Sequence, residues 1–247
     1  MQVRQTEADD SVGSVLACNE EAKLCPSRRV VSEDCAMRTV VVLSGGPGFP
    51  TVADLPAGAT VIAADGGAEL ARTLGLRVDL VVGDLDSISA ETLAGIEHVE
   101  RHAAEKDATD LELALGAALK LEPERVLVLG GGGGRLDHLL GELLLLAAEA
   151  YAGVRVDAQF GAAAVHVVRG ERTLHGRPGD LISLLAVHAR ASGIVTDGLV
   201  YPLRRETLEP GSSRGVSNVF AEPRARISLE GGVLLAVRPT GSVTAGS

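Results

Sequence analysis

Thr39-Val40-Val41-Val42-Leu43 runs straight into Ser44-Gly45-Gly46-Pro47-Gly48. A β-branched run of that length, closed by glycine, predicts a strand that ends in a loop. The construction recurs. Thr60–Ala64 ends at Asp65-Gly66-Gly67, Leu80-Val81-Val82 ends at Gly83-Asp84-Leu85-Asp86-Ser87, and residues 125–129 end at five glycines, 130–134. Further strands are read at 98–102 and 154–158, and helices at 68–74, 89–95, 107–121 and from the glycines to about Tyr151. Continuous apolar strands alternating with helices predict a mostly parallel α/β sheet.

The pattern changes near Gly161. Short strand-like runs follow at 163–168, 180–186, 193–196, 224–229 and 233–238, punctuated by Gly, Pro and Ser without helical period. These predict a smaller antiparallel β-sandwich or barrel. The expected organisation is a disordered extension at 1–37, an α/β catalytic domain at 38–160, a β-sandwich domain at 161–240 and a flexible tail at 241–247.

Composition narrows the function. Of 247 residues 46% are apolar, yet only 2% are aromatic, and the net charge is −10. Such a chain lacks the phosphate neutralisation and stacking platforms of a nucleic-acid binder. It also lacks the basic patch of an anionic-membrane binder. The charge is concentrated: residues 65–112 carry twelve acids against four bases. Such a stretch is a solvated face or a cation site. Cys18, Cys25 and Cys35 match no zinc spacing, and no cysteine follows them. That argues for a reducing compartment, and a cytoplasmic protein is expected. The longest apolar stretch, residues 139–152, is interrupted by Glu142 and Glu149 and is too short to span a bilayer.

Ligands of an open parallel sheet bind beyond the carboxyl ends of its strands, where these loops fall. Asp84 and Asp86 face the same way if the chain there is extended. Their mutual repulsion would be relieved by Mg²⁺, which favours oxygen ligands. The plain alternative is a turn, with Asp86, Ser87 or Ser89 capping a helix. In Lys106-Asp107-Ala108-Thr109-Asp110, Asp107 and Asp110 share a helical face, and Asp107 or Thr109 alternatively caps the helix. The glycines before Arg135-Leu136-Asp137-His138 allow close backbone approach to an anion at a helix N-terminus, and Arg135 adds a bidentate phosphate donor. No Gly-Lys-Ser/Thr follows, so this is not a Walker A loop. Together these parts make a phosphoryl-transfer kit, and the motifs favour a nucleotide–Mg²⁺ enzyme.

The ordered set resembles the thiamine pyrophosphokinase (thiamine diphosphokinase) family. The resemblance is carried by Ala64-Asp65-Gly66-Gly67-Ala68, Gly83-Asp84-Leu85-Asp86-Ser87, residues 106–112 and Gly133-Gly134-Arg135-Leu136-Asp137-His138. Residues 179–184, 198–203 and Gly215-Val216-Ser217-Asn218 extend it through the β-region. It implies transfer of a diphosphoryl group from ATP to thiamine, giving AMP and thiamine diphosphate, in a homodimer with active sites between subunits. It assigns Asp84, Asp86 and Asp110 to Mg²⁺ with Asp107 close by. Asp65, Gly66, Lys106, Arg135, Asp137 and His138 fall to ATP, and Ser217 and Asn218 to thiamine. The chain departs from the family at Val78, Leu85 and Glu142, the last replacing a common Asn with a negative charge. A pyrophosphokinase for another alcohol, such as a hydroxymethylpterin, and a non-catalytic binding relative are the alternatives. With no Trp, any ring stacking must come from Tyr201, Phe220 or another of the five aromatics, or from aliphatic walls.

Overall fold

The structure, a computed structural model, describes residues 37–48, 50, 55–105 and 107–240. Of the expected tails at 1–37 and 241–247, all but Met37 lie outside the described residues, and so do the three cysteines. In chain order the first half runs β1 (Thr39–Leu43), β2 (Thr60–Ala64), α1 (Gly67–Leu74), β3 (Leu80–Gly83), α2 (Ala90–Ala94), β4 (Val99–Arg101), α3 (Asp110–Leu119), β5 (Arg125–Gly130), α4 (Leu136–Leu146) and β6 (Arg155–Phe160). All six strands are parallel, in the order β6-β5-β1-β2-β3-β4.

Every residue of β1 is buried. Val40 and Val42 belong to the core that includes α3, and Val41 and Leu43 to the core that includes α1. Burial on both faces is why this strand reads as a continuous apolar run rather than an alternating one. Helix starts are set by local chemistry. Ser89 caps α2 by accepting the Thr92 amide, and Thr109 caps α3 by accepting the Glu112 amide. The capping reading of Ser89 and Thr109 therefore holds, and it leaves Asp86 and Asp107 with no capping role.

The second half is β7 (Ala163–Val168), β8 (Glu171–His175), β9 (Leu181–Ala186), β10 (Ala191–Asp197), β11 (Arg204–Leu208), β12 (Asn218–Val219), β13 (Arg224–Ser228) and β14 (Leu234–Pro239). After Gly161 the chain turns back and β7 pairs antiparallel with β6. The large sheet thus continues as β12-β9-β14-β7-β6 and has ten strands. A second sheet, β11-β10-β13-β8, is wholly antiparallel. Ile182, Leu184 and Leu234 of the large sheet share one core with Leu174, Ile194 and Ile227 of the small one. The sandwich borrows one face from the sheet that also carries the α/β half.

β1 to β4 build outward in one direction, and the chain then returns to place β5 on the other side of β1. That reversal is a topological switch point, and at the carboxyl edge there the loops after β1 and β5 meet beside a crevice.

Candidate active site

A cavity of about 900 Å³ opens at this crevice. Its floor is the loop after β1 (Ser44, Gly45, Gly46, Pro47) and the glycine loop after β5. The two loops touch backbone to backbone. A Cβ at Gly131 would lie 2.4 Å from the Pro47 carbonyl oxygen, and one at Gly134, where φ is +88°, would lie 2.9 Å from Pro47 Cδ. The glycines are thus required by packing as well as by any ligand.

One wall is acidic. Asp65, Asp84 and Asp86 each bring a carboxylate oxygen within 4.8 Å of the others. Asp65 Oδ1 is buried and has no hydrogen-bond partner among the described residues. A buried carboxylate oxygen without a donor is costly unless a cation or ligand meets it. The turn that gathers the pair is local: Leu85 adopts φ +70°, and the Asp86 amide donates to Asp84 Oδ1 at 3.2 Å. Asp110, the first residue of α3, lies outside this trio but adjoins it across Gly83. An oxygen-only donor set of this kind suits Mg²⁺.

The opposite wall is the start of α4. Arg135 binds Asp137 through two bonds, Nε to Oδ1 at 3.2 Å and a terminal nitrogen to Oδ2 at 2.5 Å. The Arg135 hydrogen bond brings the Asp137 carboxyl down to about 2. Asp137 thus orients the guanidinium at the helix N-terminus. His138 also lines the cavity, and Glu142 follows one turn later. Ser44 Oγ donates to Glu142 Oε1 at 2.7 Å. Burial pushes the Glu142 carboxyl up, against the Ser44 hydrogen bond and the charge of His138.

Of the residues singled out from sequence, Asp65, Gly66, Asp110, Arg135, Asp137 and His138 line this cavity. Asp84 and Asp86 join it through Asp65. Asp107 is exposed on the loop before α3 and is not among the lining residues. Lys106 lies outside the described residues. Ser217 and Asn218 are elsewhere: β12 begins at Asn218 and sits at the edge of the large sheet, six strand positions from β1. Ser217 holds a left-handed conformation (φ +59°), and its amide donates to Ser183 Oγ at 3.1 Å. Phe220 is 1% exposed in the sandwich core with Arg238 over its ring, so it offers no stacking surface, whereas Tyr201 is 57% exposed.

The family model described as "Thiamin pyrophosphokinase, catalytic domain" matches residues 55–157, and "Thiamin pyrophosphokinase, vitamin B1 binding domain" matches 165–234. The chain belongs to the thiamine pyrophosphokinase family. Thiamine pyrophosphokinase of Bacillus subtilis strain 168 is 29% identical over 224 residues, covering 83% of this chain and 100% of its own. A crystal structure of the Bacillus subtilis enzyme matches with a TM-score of 0.71 at 26% identity, covering 82% of this chain and 99% of that one. Thiamin pyrophosphokinase from Candida albicans shares the fold, with a TM-score of 0.68 at 15% identity over 83% and 90% of the two chains. As a member of the thiamine pyrophosphokinase family, the chain is an enzyme of the diphosphotransferase class.

One cavity residue, His188, carried no sequence signal toward a site. His188 arrives from the loop after β9 with φ +63°, and its Nε2 is 2.9 Å from the Leu144 carbonyl. Ser44 was readable as part of a ligand-side loop, but not as the partner of Glu142, which is 98 residues away. Among the described residues, no helix is long and apolar enough to cross a membrane.

Proposed function

We propose that this chain transfers the terminal diphosphoryl group of ATP to the hydroxyl of thiamine, with Mg²⁺ bound at the acidic wall. The observation that carries this reading is that Arg135, the glycine loop and Asp65, one member of a three-carboxylate cluster, line one cavity at the switch point of a thiamine pyrophosphokinase fold. The thiamine oxygen attacks the β-phosphorus, the bond from that phosphorus to the α-phosphate oxygen breaks, the hydroxyl gives up its proton, and AMP departs. Arg135, steered by Asp137, and the glycine loop hold the phosphates. Gly66 and His138 complete the ATP contacts, with Lys106 as a further phosphate donor. Asp65, Asp84 and Asp86 would hold the metal, with Asp110 across Gly83 and Asp107 on the loop before α3. Mg²⁺, when bound, offsets phosphate charge and polarises the phosphoryl oxygens.

The division of labour follows the change of strand direction: 38–160 serves ATP and 161–240 serves thiamine. Ser217 and Asn218 are not at the cavity of their own chain, which supports a homodimer whose sites lie between subunits. Two exposed apolar surfaces support it as well. Leu136, Leu140 and Leu144 lie one turn apart on α4, and Val200, Tyr201 and Val216 cluster near Ser217 in sequence and strand pairing. A cytoplasmic setting is proposed on the cysteine distribution, with none after Cys35.

The test is incubation with ATP, Mg²⁺ and thiamine. AMP and thiamine diphosphate should form in equal amounts, and ADP as the nucleotide product would overturn the reading. Asp86→Asn should demand far more Mg²⁺ for the same turnover. Sedimentation should give a dimer, and cell fractionation should find the protein in the cytosol.

A further inference from the structure

Glu142 stands in a phosphate-binding cavity, where a carboxylate should be unwelcome. It lines the α4 wall, half-buried, with Oε1 held by Ser44. Among the described residues, Oε2 receives no hydrogen bond. The side chain is therefore short of donors, in keeping with the upward push on its carboxyl. A phosphate cannot supply a donor, but a hydroxyl can.

Position along the helix selects which hydroxyl. Glu142 is seven residues beyond Arg135, about 10 Å along the axis. A nucleotide whose phosphates meet Arg135 and the glycine loop therefore has its sugar near Glu142. Past Glu142 the cavity is walled by Leu144, Leu145, Ala148 and His188, a mostly apolar surface fit for a planar base. We infer that Glu142, braced by Ser44, binds the ribose hydroxyls of the nucleotide and makes the enzyme select ribonucleotides over deoxyribonucleotides. This rests on the ATP-dependent reading above.

The experiment compares ATP with 2′-deoxyATP and 3′-deoxyATP in the diphosphoryl transfer. It also compares AMP with 2′,3′-dideoxyAMP in equilibrium binding. Loss of a hydroxyl–carboxylate bond is worth about ten-fold or more. The wild type should favour the ribonucleotide by at least that factor in one deoxy comparison and in binding. Glu142→Leu should bring both preferences to near unity, chiefly through KM. Glu142→Gln, which keeps an acceptor and the Ser44 contact, should retain part of them and decides the matter if the Leu variant does not fold. An unchanged sugar preference in the variants, or none in the wild type, overturns the inference. So does a change in ATP-over-ITP preference with sugar preference intact, which would put Glu142 at the base. Absence of AMP formation alongside intact AMP-over-dideoxyAMP discrimination would instead overturn the proposed reaction and keep the sugar contact.

Discussion

The side-chain amide of Asn218 grips the backbone of Tyr201 from both sides: Nδ2 donates to the Tyr201 carbonyl at 2.7 Å, and Oδ1 accepts the Tyr201 amide at 3.1 Å. Oδ1 also accepts the Val219 amide at 2.8 Å. The residue is 5% exposed. Asn218 therefore shapes the 198–203 turn, and any effect it has on thiamine runs through Tyr201 and Ser217. Asn218→Ala should cost about 2–3 kcal/mol, at roughly 1 kcal/mol per lost bond. It should also raise KM for thiamine while leaving KM for ATP unchanged. Thermal unfolding and two-substrate kinetics test both parts.

Gly83 separates two members of the acidic wall. Its φ is +152°, and a Cβ there would lie 3.0 Å from Asp110 Oδ1 and 3.0 Å from Asp65 Cβ. Gly83→Ala should strain the backbone by about 1–3 kcal/mol. By displacing the carboxylates it should lower turnover on the order of a hundred-fold. A folded Gly83→Ala protein with wild-type kinetics would show that this geometry does not matter.

Arg135 and Asp137 form an exposed forked pair. Arg135→Ala should raise KM for ATP about ten-fold or more, because charge-assisted phosphate bonds are lost. KM for thiamine should not move. With the Asp137 carboxyl held at about 2, the pair stays ionised across neutral pH. ATP affinity should therefore show no step from Asp137 between pH 5 and 8, measured by nucleotide titration.

Asp157 on β6 is a structural counterpart that does not line the cavity. It accepts Arg125 Nε at 2.9 Å and His166 Nδ1 at 2.7 Å, and it also pairs with Arg172. Burial alone would raise its carboxyl, but the His166 hydrogen bond and the charges of Arg172, His166 and Arg125 outweigh it and hold it far below the usual range. A depressed carboxyl stabilises the fold above its unfolded value, near 4, and that contribution is lost as pH falls toward the folded value. Stability should thus decline on acidification below about pH 4. Asp157→Asn should remove this part of the pH dependence. It should also cost about 3–5 kcal/mol at pH 7, because the arginines would lose their counter-charge. Denaturant melts at pH 3 to 7 measure both.

Much of the α/β half was legible. Strands such as β1 and β5 are buried on both faces, so their apolar runs are continuous and end sharply at glycine. The closeness of Asp84 and Asp86 was legible because it is local to a few residues, although a left-handed Leu85 (φ +70°), not the extended chain expected, brings it about. β8, β11 and β12 were not. Glu171-Arg172-Thr173-Leu174-His175 buries only Arg172 and Leu174, Arg204-Arg205-Glu206-Thr207-Leu208 buries only Leu208, and β12 has two residues. Such edge or half-exposed segments carry too little apolar pattern to declare themselves.

The sequence by itself determined the acidic stretch at 65–112, the glycine-ended strands and the motif order, because each depends on residues close in the chain. Only the tertiary structure decided that Asp65 joins Asp84 and Asp86, that Ser44 holds Glu142, and that His188 closes the cavity. Only it separated Ser217 and Asn218 from the other site residues. Those relationships depend on strand order and on its reversal between β1 and β5 at the switch point, and strand order is set by packing between segments distant in sequence.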